Sequence, residues 1–90
     1  MRVLRKKPGC YFEGIDIPNT LEALQAEVGG YIEAVTLDAE TVIICNEEGR
    51  LLGLEPNITI NEYPFVGTIL VVGVDGENFT DYPGGVYDKE

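Results

Sequence analysis

The sequence predicts one small α+β domain, a mainly antiparallel sheet with a single short helix packed on one of its faces. Three observations predict it. Segments 31–37, 41–45 and 68–74 are dominated by β-branched and apolar residues, which suit a pleated strand. Only segment 20–28 repeats apolar residues at helical spacing, with Leu21, Leu24 and Val28 along one side. Ninety residues without an internal repeat, low-complexity tract or linker form a single core. The domain is expected to span 1–80, with 81–90 as a loosely ordered tail.

Arg2-Val3-Leu4-Arg5-Lys6 is β-compatible and is closed by Pro8-Gly9, a strong turn signal. Cys10 to Ile17 alternates polar residues with Phe12, Ile15 and Ile17, and Gly14 interrupts it, which predicts a second strand with a bulge. Asn19 is the expected N-cap of the helix, with Glu22 three residues on as the acid of a capping box. Gly29 is free to take the left-handed cap that ends it. A helix of about nine residues cannot stand alone, so it must lie on a sheet.

Tyr31 to Leu37 and Thr41 to Cys45 predict a hairpin turning at Asp38-Ala39-Glu40. Asn46 to Arg50 is a second turn, with Gly49 available for positive φ. Leu51 to Leu54 fits a strand or a short helical turn before Glu55-Pro56-Asn57 breaks the pattern. Thr68 to Val74 is almost wholly apolar and predicts a central strand buried on both faces. The order is thus β-β-α-β-β-β, with the second sheet face or an edge left open.

Charge is the outstanding compositional feature: sixteen Asp and Glu stand against six Lys and Arg, with no His and a net charge of −10. The charge is also polarised. Arg2, Arg5, Lys6 and Lys7 crowd the first seven positions, so all sixteen acids beyond them face only Arg50 and Lys89. Such a body repels phosphates, which disfavours direct nucleic-acid binding and anionic membranes and favours a basic partner. No apolar run approaches the ~18–20 residues that cross a bilayer, and no export signal is visible. The expected location is therefore the cytoplasm, with Cys10 and Cys45 as free thiols. Without secretion, the sequons Asn57-Ile58-Thr59 and Asn78-Phe79-Thr80 are ordinary polar residues.

A search for chemistry finds no reactive constellation. Absence of His removes Ser-His and Cys-His pairs, a base titrating near neutrality and the commonest metal ligand. Asp75, Glu77, Asn78 and Asp81 offer hard oxygens, but their spacing does not match a calcium loop and reads as a solvated acidic loop. Glu47 and Glu48 are adjacent in a turn, where side chains diverge, and read as a charged tip. Cys45 ends an apolar strand and behaves as a small hydrophobe rather than a nucleophile. Neither Gly29-Gly30 nor Gly84-Gly85 has the context of a phosphate loop. No catalytic residue, metal or cofactor is expected. Of the tyrosines, Tyr82 and Tyr87 in the tail are those expected to be exposed.

The stretches Leu21-Glu22-Ala23-Leu24-Gln25, Val28-Gly29-Gly30-Tyr31-Ile32-Glu33 and Cys45-Asn46-Glu47-Glu48-Gly49-Arg50-Leu51-Leu52-Gly53-Leu54, with Asn57, Gly67-Thr68-Ile69 to Gly73 and Phe79, resemble a known family. They are similar to small domains of unknown function carried by phages, prophages, plasmids and conjugative elements, mostly of Gram-positive bacteria. The resemblance covers about three quarters of the chain. It implies a mobile genetic element acting inside a bacterial host cell, and it carries over no catalytic residue. The ending Tyr82-Pro83-Gly84-Gly85 departs from the longer, more helical end of that family.

Together these readings favour a non-enzymatic binding protein over an enzyme. The leading expectation is an acidic inhibitor that imitates DNA and occupies the basic groove of a host or defence nucleic-acid-binding protein. Glu33, Asp38, Glu40, Glu47 and Glu48, with Tyr82, are the candidate contacts. The basic strand Arg2, Arg5, Lys6 and Lys7 is a second candidate surface. It would serve either a nucleotide signal, aided by the Gly29 and Gly30 amides, or assembly against the acidic body of another copy as a homodimer. The competing reading of the acidity is solubility alone.

Overall fold

The computed structural model describes residues 1–83. In chain order the elements are β1 (Arg2–Lys6), β2 (Glu13–Asp16), α1 (Leu21–Val28), β3 (Ile32–Asp38), β4 (Thr41–Asn46), β5 (Pro56–Ile60), β6 (Tyr63–Val66), β7 (Ile69–Asp75) and β8 (Asn78–Thr80). Six strands form one sheet in the order β2-β1-β7-β4-β3, with β8 also on β7, and β5 and β6 form a separate pair. All pairings are antiparallel. The fold is therefore the expected small α+β domain with one short helix against a mainly antiparallel sheet.

The apolar run 69–74 makes β7 the centre. One edge of β7 pairs with β4, where Ile43 lies opposite Val71. The other edge is shared: β1 takes the first part, with Lys6 opposite Ile69, and β8 takes the last, with Asp75 opposite Asn78. Because side chains alternate along a strand, β7 feeds two cores. Leu70 and Val72 join Val3, Val42 and Ile44 beneath Leu24 and Val28 of the helix. Ile69 and Val71 join Leu4, Ile43, Cys45 and Phe65 on the opposite face.

That opposite face is not open. Ile58, Ile60 and Tyr63 of the β5–β6 hairpin pack on it around buried Phe65. The hairpin turns at Asn61 and Glu62, with φ of 50° and 67°, the two positive values that a two-residue turn needs to match strand twist. Pro56 and Pro64 hide it in the sequence by reading as breakers, yet an outer two-stranded ribbon tolerates proline because it need not donate to a further neighbour.

Four local expectations are corrected. The helix N-cap is Thr20, whose Oγ1 accepts from Ala23 N at 3.1 Å. Asn19 instead donates from Nδ2 to Phe79 O at 2.9 Å, so Glu22 lies in the first turn without closing a capping box. The second strand is four residues long and pairs with β1 in unbroken register through Gly14. Gly14 leaves room for the Arg2 guanidinium, whose Nη2 lies 3.0 Å from where a Cβ would stand. In the six-stranded sheet the register shift falls on β3, between Thr36 and Asp38, and in the separate pair a second falls on β5, between Pro56 and Thr59. The acidic stretch 75–81 is a β7–β8 hairpin rather than a loop, turning at Gly76 with φ 65°.

Of the expected tail, Asp81 and Tyr82 are tied to β1. Asp81 Oδ1 accepts from Arg2 N at 2.9 Å, and Tyr82 N donates to Arg2 O at 2.8 Å. The remaining tail residues 84–90, Tyr87 among them, lie outside the described residues. Among the described residues, no helix is long and apolar enough to cross a membrane. Both cysteines are free thiols, Cys10 exposed and Cys45 buried.

Candidate functional site

The segments 28–33 and 45–54 meet at one end of the sheet, where Ile32 pairs with Asn46 and Glu33 with Cys45. Asn46, 6% exposed, makes the joint. Its Nδ2 donates to Val28 O at 3.1 Å, and its Oδ1 accepts from Glu48 N at 2.7 Å. Glu47 N donates to Tyr31 O at 2.8 Å, continuing the β3–β4 ladder by one bond. Gly30 is required by this contact, since a Cβ there would stand 2.9 Å from Asn46 Nδ2.

Residues 47–54 then form a single helical turn rather than a strand. Leu52 N donates to Glu48 O at 2.9 Å, Gly53 N to Arg50 O at 3.2 Å and Leu54 N to Gly49 O at 3.0 Å. The last two bonds, with Gly53 at φ 69°, are the Schellman pattern that stops a helix. Gly53 thus supplies the left-handed residue expected at Gly49. Gly49 serves packing instead, because a Cβ there would meet Val66 Cγ2 at 2.8 Å.

This turn holds Leu51 and Leu52 outward at 86% and 57% exposure, beside Tyr31 at 66%. Two depressions flank them. One, about 130 Å³, is lined by Glu33, Glu47, Glu48 and Arg50 together with Cys45 and Tyr63. Arg50 is held down within it: Nη2 donates to Pro64 O at 2.7 Å, and the guanidinium carbon lies 5.5 Å from the Tyr63 ring centre. The Cys45 thiol is pushed up to about 11, first by burial and then by the charge of Glu33, with Arg50 opposing. It is therefore a protonated, inert thiol near neutrality. The second depression, about 520 Å³ and open to solvent, lies between the end of α1 and Leu52.

Of the acids expected to contact a partner, the fold gathers Glu33, Glu47 and Glu48 around the smaller depression. Asp38 and Glu40 are exposed but lie at the other end of the hairpin, roughly 17 Å away along β3 by ordinary strand rise. There Asp38 Oδ1 accepts from Glu40 N at 2.9 Å and shapes the turn. Tyr82 is not an exposed tail ring; it is half-buried against the core containing Leu4 and Val71.

The basic strand is largely engaged within the molecule. Arg2 pairs with Asp16 at 3.2 Å, and Arg5 pairs with Glu13 at 3.0 Å and with Glu27 at 2.9 Å. Lys6 Nζ donates to Asn57 Oδ1 at 2.7 Å, while Lys7 is exposed. The Gly29 and Gly30 amides both donate to Gln25 O, at 2.8 and 3.1 Å. Among the described residues, no group of three or more His, Cys, Asp or Glu could hold a metal ion.

Sequence reasoning missed the outward trio Tyr31, Leu51 and Leu52, which it read as strand residues or left undecided. The signal was Gly53: a glycine directly after Leu51-Leu52 marks a helical stop more readily than a strand interior.

Comparison with known proteins places the chain in a family. The model described as "Domain of unknown function (DUF3846)" matches residues 1–89, and the chain belongs to that family. Neither a curated protein nor a solved structure matches it.

Proposed function

We propose that this member of the DUF3846 family is a non-enzymatic binding protein of a phage or plasmid, acting inside a bacterial host cell on a protein partner with a basic surface. The observation that carries the reading is the convergence of Glu33, Glu47 and Glu48 at the end of the sheet where Tyr31, Leu51 and Leu52 stand exposed. Carboxylates steer a basic partner toward that end, and exposed rings and leucines supply the contact area that holds it. Arg50, the one base after Lys7 among the described residues, lines the same depression, engaged with Tyr63 and Pro64, and the three carboxylates outnumber it there.

In its sharper form the partner is a nucleic-acid-binding protein of the host or its defences, and the acidic surface takes the place of the phosphate backbone. A nucleotide-sequestering role and assembly through the basic strand have less support. Both need Arg2 and Arg5 free, and both arginines are ion-paired within the chain.

The test is capture of partners from a bacterial host lysate, identification by mass spectrometry, and titration of the purified partner at about 50 and about 200 mM salt. Displaced counterions make such binding fall steeply over this range. We expect at least a tenfold loss of affinity and competition by duplex DNA. Salt-insensitive binding that DNA leaves unchanged would refute DNA mimicry, and a partner without a basic surface would refute the wider reading.

A further inference from the structure

The larger depression is open to solvent and takes its lining from the end of α1 and from the 47–54 turn. One wall is the last turn of α1 with Ala26 and Gly30, the other is Leu52, and Tyr31 stands between them. Its volume, about 520 Å³, is in the range of side-chain and ligand sites, about 300–1,000 Å³. Neither wall needs to be ordered on binding. The Gly29 and Gly30 amides lock the helix end to Gln25 O, Glu47 N locks Tyr31, and Leu52 N closes its turn on Glu48 O. A preformed site avoids the ordering cost that weakens flexible surfaces. The apolar side chains are exposed where a monomer gains nothing from exposing them, and they adjoin one another rather than being scattered.

The rim decides the occupant. Glu22 and Glu48 border the groove, and among the described residues no basic residue lines it. A second copy would bring a net charge of −10 against the same sign, and its Arg2 and Arg5 are already paired. We propose that this groove, between the C-terminal turn of α1 and Leu52, is a socket for the apolar face of a basic amphipathic segment of a partner protein. Apolar anchors of the segment enter between Ala26 and Leu52. Its Lys or Arg side chains reach Glu22 and Glu48, with one cation over the Tyr31 ring. This rests on the basic-partner reading above and assigns it a site.

The probe is a 16-residue amphipathic peptide of Lys and Leu, titrated into isotope-labelled protein by nuclear magnetic resonance. Controls are a sequence-scrambled peptide of the same composition and an amphipathic peptide of Glu and Leu. Saturable shifts are expected at Ala26 to Tyr31 and Glu48 to Leu52. The double substitution Tyr31→Ala with Leu52→Ala should weaken binding about tenfold or more, the scale of losing interface anchors. Glu48→Gln should weaken it about two- to threefold and flatten its salt dependence. Both sites are exposed, and retained spectral dispersion verifies that the variants are folded.

Shifts spread over remote acidic turns such as 75–78, equal binding of the scrambled or Glu peptide, or unchanged affinity of the double variant would overturn the socket. So would a small molecule displacing the Lys-Leu peptide at lower concentration. If the double variant keeps full affinity for a basic partner captured from lysate, the socket fails and the basic-partner reading stands. If no basic protein binds at all, that reading fails with it.

Discussion

The side-chain amide of Asn46 donates to the backbone carbonyl of Val28 across 3.1 Å, eighteen residues away in sequence. Its oxygen accepts from Glu48 N, so one buried side chain spans from the end of the helix to the start of the 47–54 turn. Replacing it leaves a buried carbonyl and an amide without their partner, which costs more than the net worth of the bonds. We expect Asn46→Ala to lower the unfolding free energy by about 2–3 kcal/mol in urea titration. Asn46→Asp should be at least as damaging, because a carboxylate cannot donate to Val28 O. A loss below ~0.5 kcal/mol for Asn46→Ala would show that water replaces the side chain freely.

Gly73 lies in the centre of the sheet, where a Cβ would run into the backbone carbonyl of Asp81 and stand 2.6 Å from Thr80 Oγ1. Backbone cannot yield as a side-chain tip can. Gly73→Ala is expected to cost about 2–3 kcal/mol and to detach β8 from β7 first. Amide exchange at Phe79 and Thr80 should accelerate more than at Val71. Uniform acceleration would contradict the local clash.

Glu62 holds φ at 67° in the β5–β6 turn, a conformation that costs a non-glycine residue roughly 1 kcal/mol. Asn-Gly is the favoured pair for such a turn. Glu62→Gly should therefore raise stability by about 0.5 kcal/mol, after the entropy that glycine adds to the unfolded chain. At this size that is a rise of about 2–4 °C in thermal midpoint. A fall would mean that the Glu62 side chain contributes more than its backbone strain costs.

The Cys45 thiol rises from an ordinary 9.0 to about 11, mainly through burial. Its folded pKa lies above its unfolded one, so above about pH 9 the unfolded chain has released a proton that the folded chain still holds. Stability contributed by the protonated thiol is intact below pH 9 and is lost as pH rises through the window from 9 to about 11. Relative to Cys45→Val, the wild-type protein should lose about 2–3 kcal/mol across that window. Parallel pH profiles for the two proteins would count against the burial. Iodoacetamide at neutral pH should label exposed Cys10 and spare Cys45.

Arg5 links three elements, reaching Glu13 on β2 at 3.0 Å and Glu27 on α1 at 2.9 Å from β1. The hydrogen bond to Glu27 is the main cause holding its pKa above the usual arginine value. With its side chain 21% exposed, Arg5→Gln should cost about 1–2 kcal/mol, and less at high salt. Arg5→Lys should recover only part of this, because one ammonium lacks the fork that meets two carboxylates. A double-mutant cycle with Glu27→Gln should give a coupling of about 0.5–1.5 kcal/mol; zero coupling would reduce the pair to a surface contact.

Elements whose signals are local were legible in the sequence alone. The apolar run 69–74 became the central strand, the β-branched pair of segments became β3 and β4, and Gly29 at φ 80° ended the helix. Each depends on periodicity or on a residue's own backbone freedom, which neighbours a few positions away express. The concentration of acid beyond Lys7 was equally legible. Tertiary structure decided the rest. Asn19 gave up the cap to Thr20 because Phe79 O, sixty residues on, came within 2.9 Å. The basic strand became a set of internal ion pairs because β2 and α1 presented Asp16, Glu13 and Glu27 to it. The second sheet face closed under a hairpin whose prolines mask its alternation, and Tyr82 went inward because its backbone paired with Arg2. The groove beside Tyr31 forms where the Asn46 side chain and the Glu47–Tyr31 bond hold the 47–54 turn against the end of α1. Partner choice among charges and coverage among faces are set by non-local proximity, and no window of sequence carries that distance.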